Sequence, residues 1–323
     1  MESIVRHLQK SSQLLVASHM SPDGDAVGTL VAMGLALEQL HKDIVLFNES
    51  PIPAVYRFLP AAERIVNRIE NCRRFDTALI LDCGDTMRLG PVWQQLNDIP
   101  TVINIDHHAT NTGFGDMQLV EPNACATAEL VYRIIAALNV TIDEEIATAI
   151  YTGILTDTGS FRFSNTNSAA FEICREMAAC GVQPHLVAQH VYGTYSLGRL
   201  KLLNLALDSI EISDNGKLSM MTVTQEMLHQ TGTLPEDADG LIHYARRIED
   251  VRVAALIQEL QNGRGTTAQR RRFHVSLRSD GSIDVGAIAT AFGGGGHASA
   301  AGFGVEASLA EIKSEIAGLA KIL

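Results

Sequence analysis

The sequence lacks any pattern of paired cysteines. Its five, Cys72, Cys83, Cys125, Cys174 and Cys180, are odd in number, scattered and never spaced C-x-x-C. This excludes a disulfide framework and a thiolate zinc site and leaves buried, reduced thiols. Long apolar runs are also missing: the longest near the N-terminus, Ala26 to Leu37, is too short to span a bilayer. Met1 to Lys10 carries Glu2, Arg6 and Lys10 with no hydrophobic signal region behind it, so a cytoplasmic protein with no membrane attachment is expected. There is no Pro/Ser-rich linker and no internal repeat, and low complexity is confined to the glycine run "FGGGGHASAAGFG". Positive charge is in deficit as well. A net charge of −12, spread evenly, would repel polyanions and excludes an extended basic grip on long nucleic acid.

What is present describes a folded chain. At 323 residues, 46% hydrophobic and 19% charged, it exceeds what one core usually serves, so two domains are expected. The first part alternates short apolar strand patterns with longer helical ones: "QLLVAS" and then Ala26 to Leu40, "DIVLF", "TALILD" and "TVINID". This is the signature of a mostly parallel sheet flanked by helices. Helical periodicity dominates from Ala124 to about Ser209. Strand patterns then return in "KLSMMTVT", "VRVAALIQEL" and "RRFHVSLRS", before a helical "DVGAIATAF" and a last helix from Leu309. The fold class is therefore α/β, with domains expected at 1–192 and 212–323 joined by a helical linker over 193–211. Residues 241 to 280 hold eight arginines against four acids, so an anionic ligand would be drawn there or to a bound metal.

Chemistry-bearing residues gather at the predicted strand ends. In a parallel sheet the loops at the carboxyl ends open on one side, where ligands bind. "HMSPDGD" offers His19, Asp23 and Asp25, "LDCGD" offers Asp82, "IDHH" offers Asp106, His107 and His108, and "GILTDTGSF" adds Asp157 at a helix end. Pro22 and Gly24 bend the first turn so that its three ligands can point inward together. So many carboxylates at close range cannot all stay ionised without cations. Carboxylates with a minority of imidazoles and no thiolate suit manganese or magnesium, and the number of donors suits two ions sharing a bridging carboxylate. Two ions roughly 3.5–4 Å apart would stabilise the attacking and leaving oxygens of an in-line phosphoryl displacement. Each motif alone has a blander reading, Asp23 as a helix cap above all; their joint occurrence in this order carries the argument.

In that combination, with "VSLRS" and "GGGGHASAAGF" behind it, the chain resembles the DHH phosphoesterases with a DHH-associated C-terminal domain, the RecJ-like superfamily, and within it the oligoribonuclease and pAp-phosphatase branch. The resemblance covers nearly the whole chain. It implies two α/β domains, a larger mostly parallel-sheet DHH domain and a smaller DHH-associated domain facing it across a cleft. It implies that His19, Asp23 and Asp82 hold one divalent ion, that Asp25, Asp82, His107 and Asp157 hold the other, and that Asp82 bridges. It further implies that His108 faces the scissile phosphate and that Asp106 orients a ligand histidine, with Asp85 and Arg88 as outer partners. Arg278, Gly294, Gly295, Gly296 and His297 would bind substrate phosphate. The implied cofactors are two ions, Mn2+ first and Mg2+ or another divalent ion second. The implied substrates are very short RNA, cut from a terminus to mononucleotides, and pAp, converted to AMP. Cyclic di-AMP or linear dinucleotides such as pApA are the alternative within enzymes, and a non-catalytic nucleic-acid-binding protein is the alternative outside them. The oligomeric state stays open, a homodimer included. One departure from the family is the segment "QNGRGTTAQRRRF", longer and more basic than its counterparts, which reads equally as a hairpin touching nucleic acid or as a solvated loop.

Overall fold

The computed structural model describes residues 1–96, 98–193, 195–261 and 270–323. The chain divides into two compact units, Met1–Thr194 and Tyr195–Leu323. In the first, strands β1 (Gln13–Ser18), β2 (Asp43–Phe47), β3 (Thr77–Leu81), β4 (Thr101–Asp106) and β5 (Met117–Val120) form a sheet in the order β2-β1-β3-β4-β5. Every pairing is parallel. The strands are apolar on both sides because both faces are covered. Leu14, Val16, Leu79, Leu81, Ile103 and Ile105 face one core, while Leu15, Ala17, Ala78, Ile80 and Val102 face the other.

The two cores are built differently. The first takes α1 (Glu2–Lys10), α2 (Gly24–Gln39), α4 (Thr127–Ala137), α5 (Glu144–Asp157), α6 (Ser168–Ala179) and α7 (Pro184–Tyr192). The second is closed by 3-10 turns and the single-turn α3 (Trp93–Leu96), through Cys72, Phe75, Leu89, Val92 and Leu96. Helix α2 is buried nearly all round, wedged between the sheet and α5. That wedge needs Gly28: a Cβ there would lie 2.5 Å from the Ala149 carbonyl oxygen and 3.1 Å from the Gly153 nitrogen, both backbone atoms. Alanine is normally better than glycine inside a helix by about 1 kcal/mol. Here overpacking against backbone wins, and Gly28→Ala is expected to destabilise the protein by about 1–3 kcal/mol, read as a lower urea midpoint at unchanged m-value.

The second unit carries β6 (Glu211–Ile212), β7 (Leu218–Val223), β8 (Val253–Glu259), β9 (Arg271–Ser279), β10 (Gly295–Gly296) and β11 (Ala300–Ala307), ordered β10-β11-β9-β8-β7-β6. Among the described residues only β7 and β8 of this sheet pair in parallel. One face packs on α11 (Val285–Ala291) and α12 (Leu309–Gly318). The other packs on α8 (Leu197–Asp208), α9 (Gln225–Thr231) and α10 (Ile242–Arg246). The segment expected as a helical linker thus contains a helix whose Leu202 and Ala206 are buried in the second unit's own core. Of the basic segment Arg264 to Arg272, residues 264–269 lie outside the described residues. Arg270 is exposed, and Arg271 Nη1 pairs with Glu259 at 2.7 Å. Among the described residues no helix is long and apolar enough to cross a membrane.

Candidate metal centre

Parallel register assembles the site. Ser18 of β1 pairs with Leu81 of β3, and Leu81 pairs with Ile105 of β4. The next residues, His19, Asp82 and Asp106, therefore stand side by side at the carboxyl edge of three adjacent strands. In the order 2-1-3-4-5 the β1/β3 boundary is also where the connections diverge, the place where such sheets bind ligands. Asp82 takes a left-handed backbone conformation, with φ +53°, which turns the chain sharply out of β3. Aspartate tolerates this region better than most residues, and strain of this kind gathers at functional sites.

Two helices complete the cluster. Asp23 caps α2, its Oδ1 accepting from the amides of Asp25 at 3.1 Å and Ala26 at 3.0 Å, so the bland reading of this residue is also true. Its side chain remains 57% exposed. Asp25, the second residue of α2, is buried, and its carboxylate is cradled by the N-terminus of α4: Thr127 N–H donates to Oδ2 at 2.6 Å and Ala128 N–H to Oδ1 at 3.0 Å. Asp157 is the last residue of α5, which stops where Gly159, Ser160 and Phe161 all turn left-handed.

The donors meet in overlapping groups: His19 with Asp23 and Asp82; Asp25 with Asp82 and His107; and Asp82 with Asp106 and His108. Asp82 belongs to all three of these. His19 Nε2 lies 3.6 Å from Asp82 Oδ2 and 3.9 Å from Asp23 Oδ1, and His107 Nε2 lies 3.5 Å from Asp157 Oδ2. Each of these rings turns its other nitrogen to a backbone carbonyl, His19 Nδ1 to Met20 at 2.8 Å and His107 Nδ1 to Ala124 at 3.1 Å. A carbonyl only accepts, so in each ring Nδ1 can carry the proton for that carbonyl when Nε2, on the carboxylate side, ligates an ion, as in metal-ligating histidines.

Asp106 Oδ1 accepts from His108 Nδ1 at 2.7 Å, so the histidine it orients is His108, while His107 Nδ1 turns to the Ala124 carbonyl. Asp106 is in turn held by Asn111, whose Nδ2 donates to its Oδ2 at 2.6 Å and to Asn104 Oδ1 at 2.8 Å. Asn104 Nδ2 donates to the Cys83 carbonyl at 3.1 Å, tying this chain to the strand turn that bears Asp82. Removing a hydrogen-bonded support of this kind commonly costs 10- to 100-fold, and Asn111→Ala is expected to lower kcat by about that factor at unchanged manganese content. A steady-state assay beside elemental analysis checks both numbers.

The electrostatics call for cations. Burial lifts the Asp157 carboxyl to about 6, opposed by His107 and aided by Asp23 and Asp82. Burial together with Asp82, Asp157 and Asp23 lifts Asp25 well above the ordinary range, against the Thr127 amide. Burial also works to raise Asp82, yet its bond to His19 and the charges of His108, His19 and His107 hold it far below. Asp106 is likewise low despite burial, through its bond to His108. Burial pulls His108 down, but the Asp106 bond and the Asp106 and Asp82 charges outweigh it and bring the ring up to about 9. Among the described residues no lysine or arginine pairs with Asp23, Asp25, Asp82, Asp106 or Asp157. An oxygen-rich donor set of excess negative charge, with two correctly turned imidazoles, fits hard divalent ions such as manganese or magnesium.

The second unit gathers its own predicted residues. Arg278 pairs with Ala300 across the β9/β11 ladder, and Ala300 closes a turn with His297 through N···O distances of 2.7 and 3.2 Å. The glycine run is β10 and its approach: a Cβ on Gly294 would collide with the Gly302 carbonyl, and Gly296 has φ +143°. Arg278, Gly294, Gly295, Gly296 and His297 thus share one end of the sheet. Sequence reasoning missed Thr127, Ala128, Asn104, Asn111 and also Asn48, whose Nδ2 holds the Ser18 hydroxyl and the His19 carbonyl, both at 2.8 Å. The amide cradle of Asp25 leaves no residue-type signal at all. Asn111, three residues past the paired histidines, was the one readable hint.

Fold and site define the class: an α/β protein with a carboxylate–imidazole cluster able to hold metal at the switch point of a parallel sheet. The DHH family N-terminal domain matches residues 13–154 and the DHHA1 domain matches residues 219–321. The bifunctional oligoribonuclease and PAP phosphatase NrnA of Thermus thermophilus is 33% identical over 290 residues, 90% of this chain and 83% of the relative. An exopolyphosphatase-related protein from Bacteroides fragilis shares the fold at a TM-score of 0.87, with 24% identity over 98% of this chain and 96% of its own. RecJ of Thermus thermophilus, solved in complex with Mn2+, matches at 0.51 with 14% identity, over 99% of this chain and 54% of that one. The chain belongs to the DHH phosphoesterase family, with a DHHA1 domain as its second unit.

Proposed function

We propose that the protein is a metal-dependent phosphodiesterase that degrades very short RNA from a terminus to mononucleotides and also dephosphorylates pAp to AMP. The observation that carries this is the convergence of His19, Asp23, Asp25, Asp82, His107 and Asp157 on one edge, in a chain 33% identical to a protein named for both activities. Two ions are assigned, manganese first, one to His19, Asp23 and Asp82 and the other to Asp25, Asp82, His107 and Asp157. When bound, they supply Lewis acidity toward water and neutralise phosphoryl oxygens.

The remaining work falls to side chains. Asp106 accepts from His108 Nδ1, so the imidazolium presents Nε2 to a phosphoryl oxygen and gives a proton or a hydrogen bond as charge develops there. Asn111 and Asn104 fix that carboxylate. In the second unit, Arg278, the amides of Gly294–Gly296 and His297 are assigned to a terminal phosphate, which would restrict the enzyme to short substrates. The test incubates the protein and manganese with end-labelled RNA from dinucleotide to long single strands, with pAp, pApA and cyclic di-AMP alongside. Rapid loss of the shortest RNA and of pAp is expected. Equal turnover of long strands would replace this reading with a processive RecJ-like nuclease, and preference for cyclic di-AMP or pApA with a dinucleotide phosphodiesterase.

A further inference from the structure

Arg88 is a cation beside the cluster that the metal arrangement leaves without a task. Its backbone is anchored: Met20 N–H donates to the Arg88 carbonyl at 2.7 Å, and Arg88 N–H donates to that of Asp85 at 3.0 Å. This ties the turn after β3 to the turn after β1 and sets the guanidinium next to His19, with Nη2 3.1 Å from Nδ1. Among the described residues it pairs with no carboxylate, although His19, its ring partner, faces Asp23 and Asp82. Arginine in such surroundings would normally fork onto one of them.

The bond it does make is a contested one. A guanidinium only donates, and the Met20 carbonyl, 2.8 Å from the same His19 Nδ1, only accepts. One ring nitrogen cannot serve both. Ligation of an ion through Nε2, which faces Asp82 and Asp23, fixes the proton on Nδ1 and gives that bond to Met20. Arg88 then loses its imidazole partner while its backbone stays anchored. The residue is exposed, so its fork can reach a ligand. Its charge is also felt at His108 and at Cys83.

We infer that Arg88 is a catalytic residue that grips the phosphoryl group under attack, and that its bond to His19 is the resting arrangement it leaves when the ion is bound. This rests on the proposed phosphoesterase reading and adds a ligand contact to it. Loading with metal and binding of the anion are thereby coupled through one imidazole nitrogen.

The test compares wild type with Arg88→Ala, Arg88→Gln and Arg88→Lys, each checked for folding by circular dichroism. Turnover of pAp and of a diribonucleotide is measured together with manganese affinity from titration of free Mn2+ by electron paramagnetic resonance. Binding of inorganic phosphate to the manganese-loaded protein is measured by calorimetry. Loss of one preorganised donor sets the scale, and kcat/KM should fall about 100-fold in Arg88→Ala and Arg88→Gln. Manganese affinity should stay unchanged, phosphate affinity should fall, and Arg88→Lys should recover part of the loss because it restores charge without the fork. Added guanidinium ion should rescue Arg88→Ala. Unchanged kcat/KM and phosphate affinity overturn the inference. Loss of turnover together with manganese affinity, without guanidinium rescue, also overturns it and makes Arg88 a support for His19. A wild type inactive on every substrate defeats the proposed function instead, and the phosphate titration then decides the role of Arg88 alone.

Discussion

Asp82→Ala is expected to lower turnover of pAp by about ten-thousand-fold or more, the scale seen when a group that acts as part of a catalytic unit is removed. Asp82 is the one residue shared by all three of the donor groups named above, and it is the carboxylate nearest His19 and close to His108. Its loss would strip a ligand from both proposed ion sites at once. The fold should survive. The main hydrogen bond lost is from the Thr127 hydroxyl at 2.9 Å, and a negative charge leaves a crowded cluster. Asp82→Asn separates the effects: it keeps the shape and an acceptor for Thr127 but not the charge that binds cations. Both variants should show native circular dichroism and little bound manganese by elemental analysis. Full manganese content with retained turnover would refute the bridging assignment.

The metal-free protein is expected to lose stability as pH rises from about 4 to about 9, the reverse of ordinary carboxylate behaviour. Asp157 titrates near 3.8 when unfolded and near 6 when folded, because burial penalises its charge. Asp25 is shifted in the same direction. Between those values the native state binds more protons than the unfolded state, so stability falls as pH rises, and the contribution is gone above the folded value. His108, raised from 6.5 to about 9 by Asp106 and Asp82 against burial, acts in the same sense over the higher window. Its contribution is full below 6.5 and lost through 9. Asp82 and Asp106, held low by their histidine partners, work the other way, but only below the ordinary carboxylate range near 3.8.

Divalent ions should reverse the trend, since they replace protons among the same oxygens and their affinity grows as those protons leave. Thermal unfolding of chelator-treated protein across this range, repeated with manganese, tests the point. Manganese should raise the midpoint more at pH 8 than at pH 5. A metal-free midpoint that stays level or climbs between those values would mean the carboxylates are not crowded as described.

Much of the site was legible because it is written in short motifs at strand and helix ends. His19, Asp82 and Asp106 end apolar strand runs, and Asp157 ends an apolar helix, so a parallel sheet alone predicts that they can meet. Three of the second unit's strands, β7, β8 and β9, were also legible as "KLSMMTVT", "VRVAALIQEL" and "RRFHVSLRS", whereas β6, β10 and the glycine-rich β11 were not. The short β5 and the role of α8 in the second unit's core were not. β5 is a four-residue strand with a mixed pattern, and α8 carries Leu197, Leu200 and Leu207 on exposed positions, which blurs its buried stripe. Which histidine Asp106 holds was not legible, because adjacent histidines cannot be told apart by spacing. Only the turn of the chain after β4 sends His107 to Ala124 and His108 to Asp106.

By itself the sequence determined which groups are available, acidic and imidazole side chains at the ends of regular elements, and hence a chemistry of cations and phosphate. It also determined the two-unit α/β plan, since hydrophobic period depends on local composition alone. Tertiary structure decided which group touches which. Register brought Ser18, Leu81 and Ile105 level, the α4 N-terminus arrived at Asp25, and Met20 and Arg88 came to contest one nitrogen of His19. These are contacts between backbone atoms or between residues far apart in the chain. Their existence depends on the packing of the whole unit, to which no local pattern of residue types is sensitive.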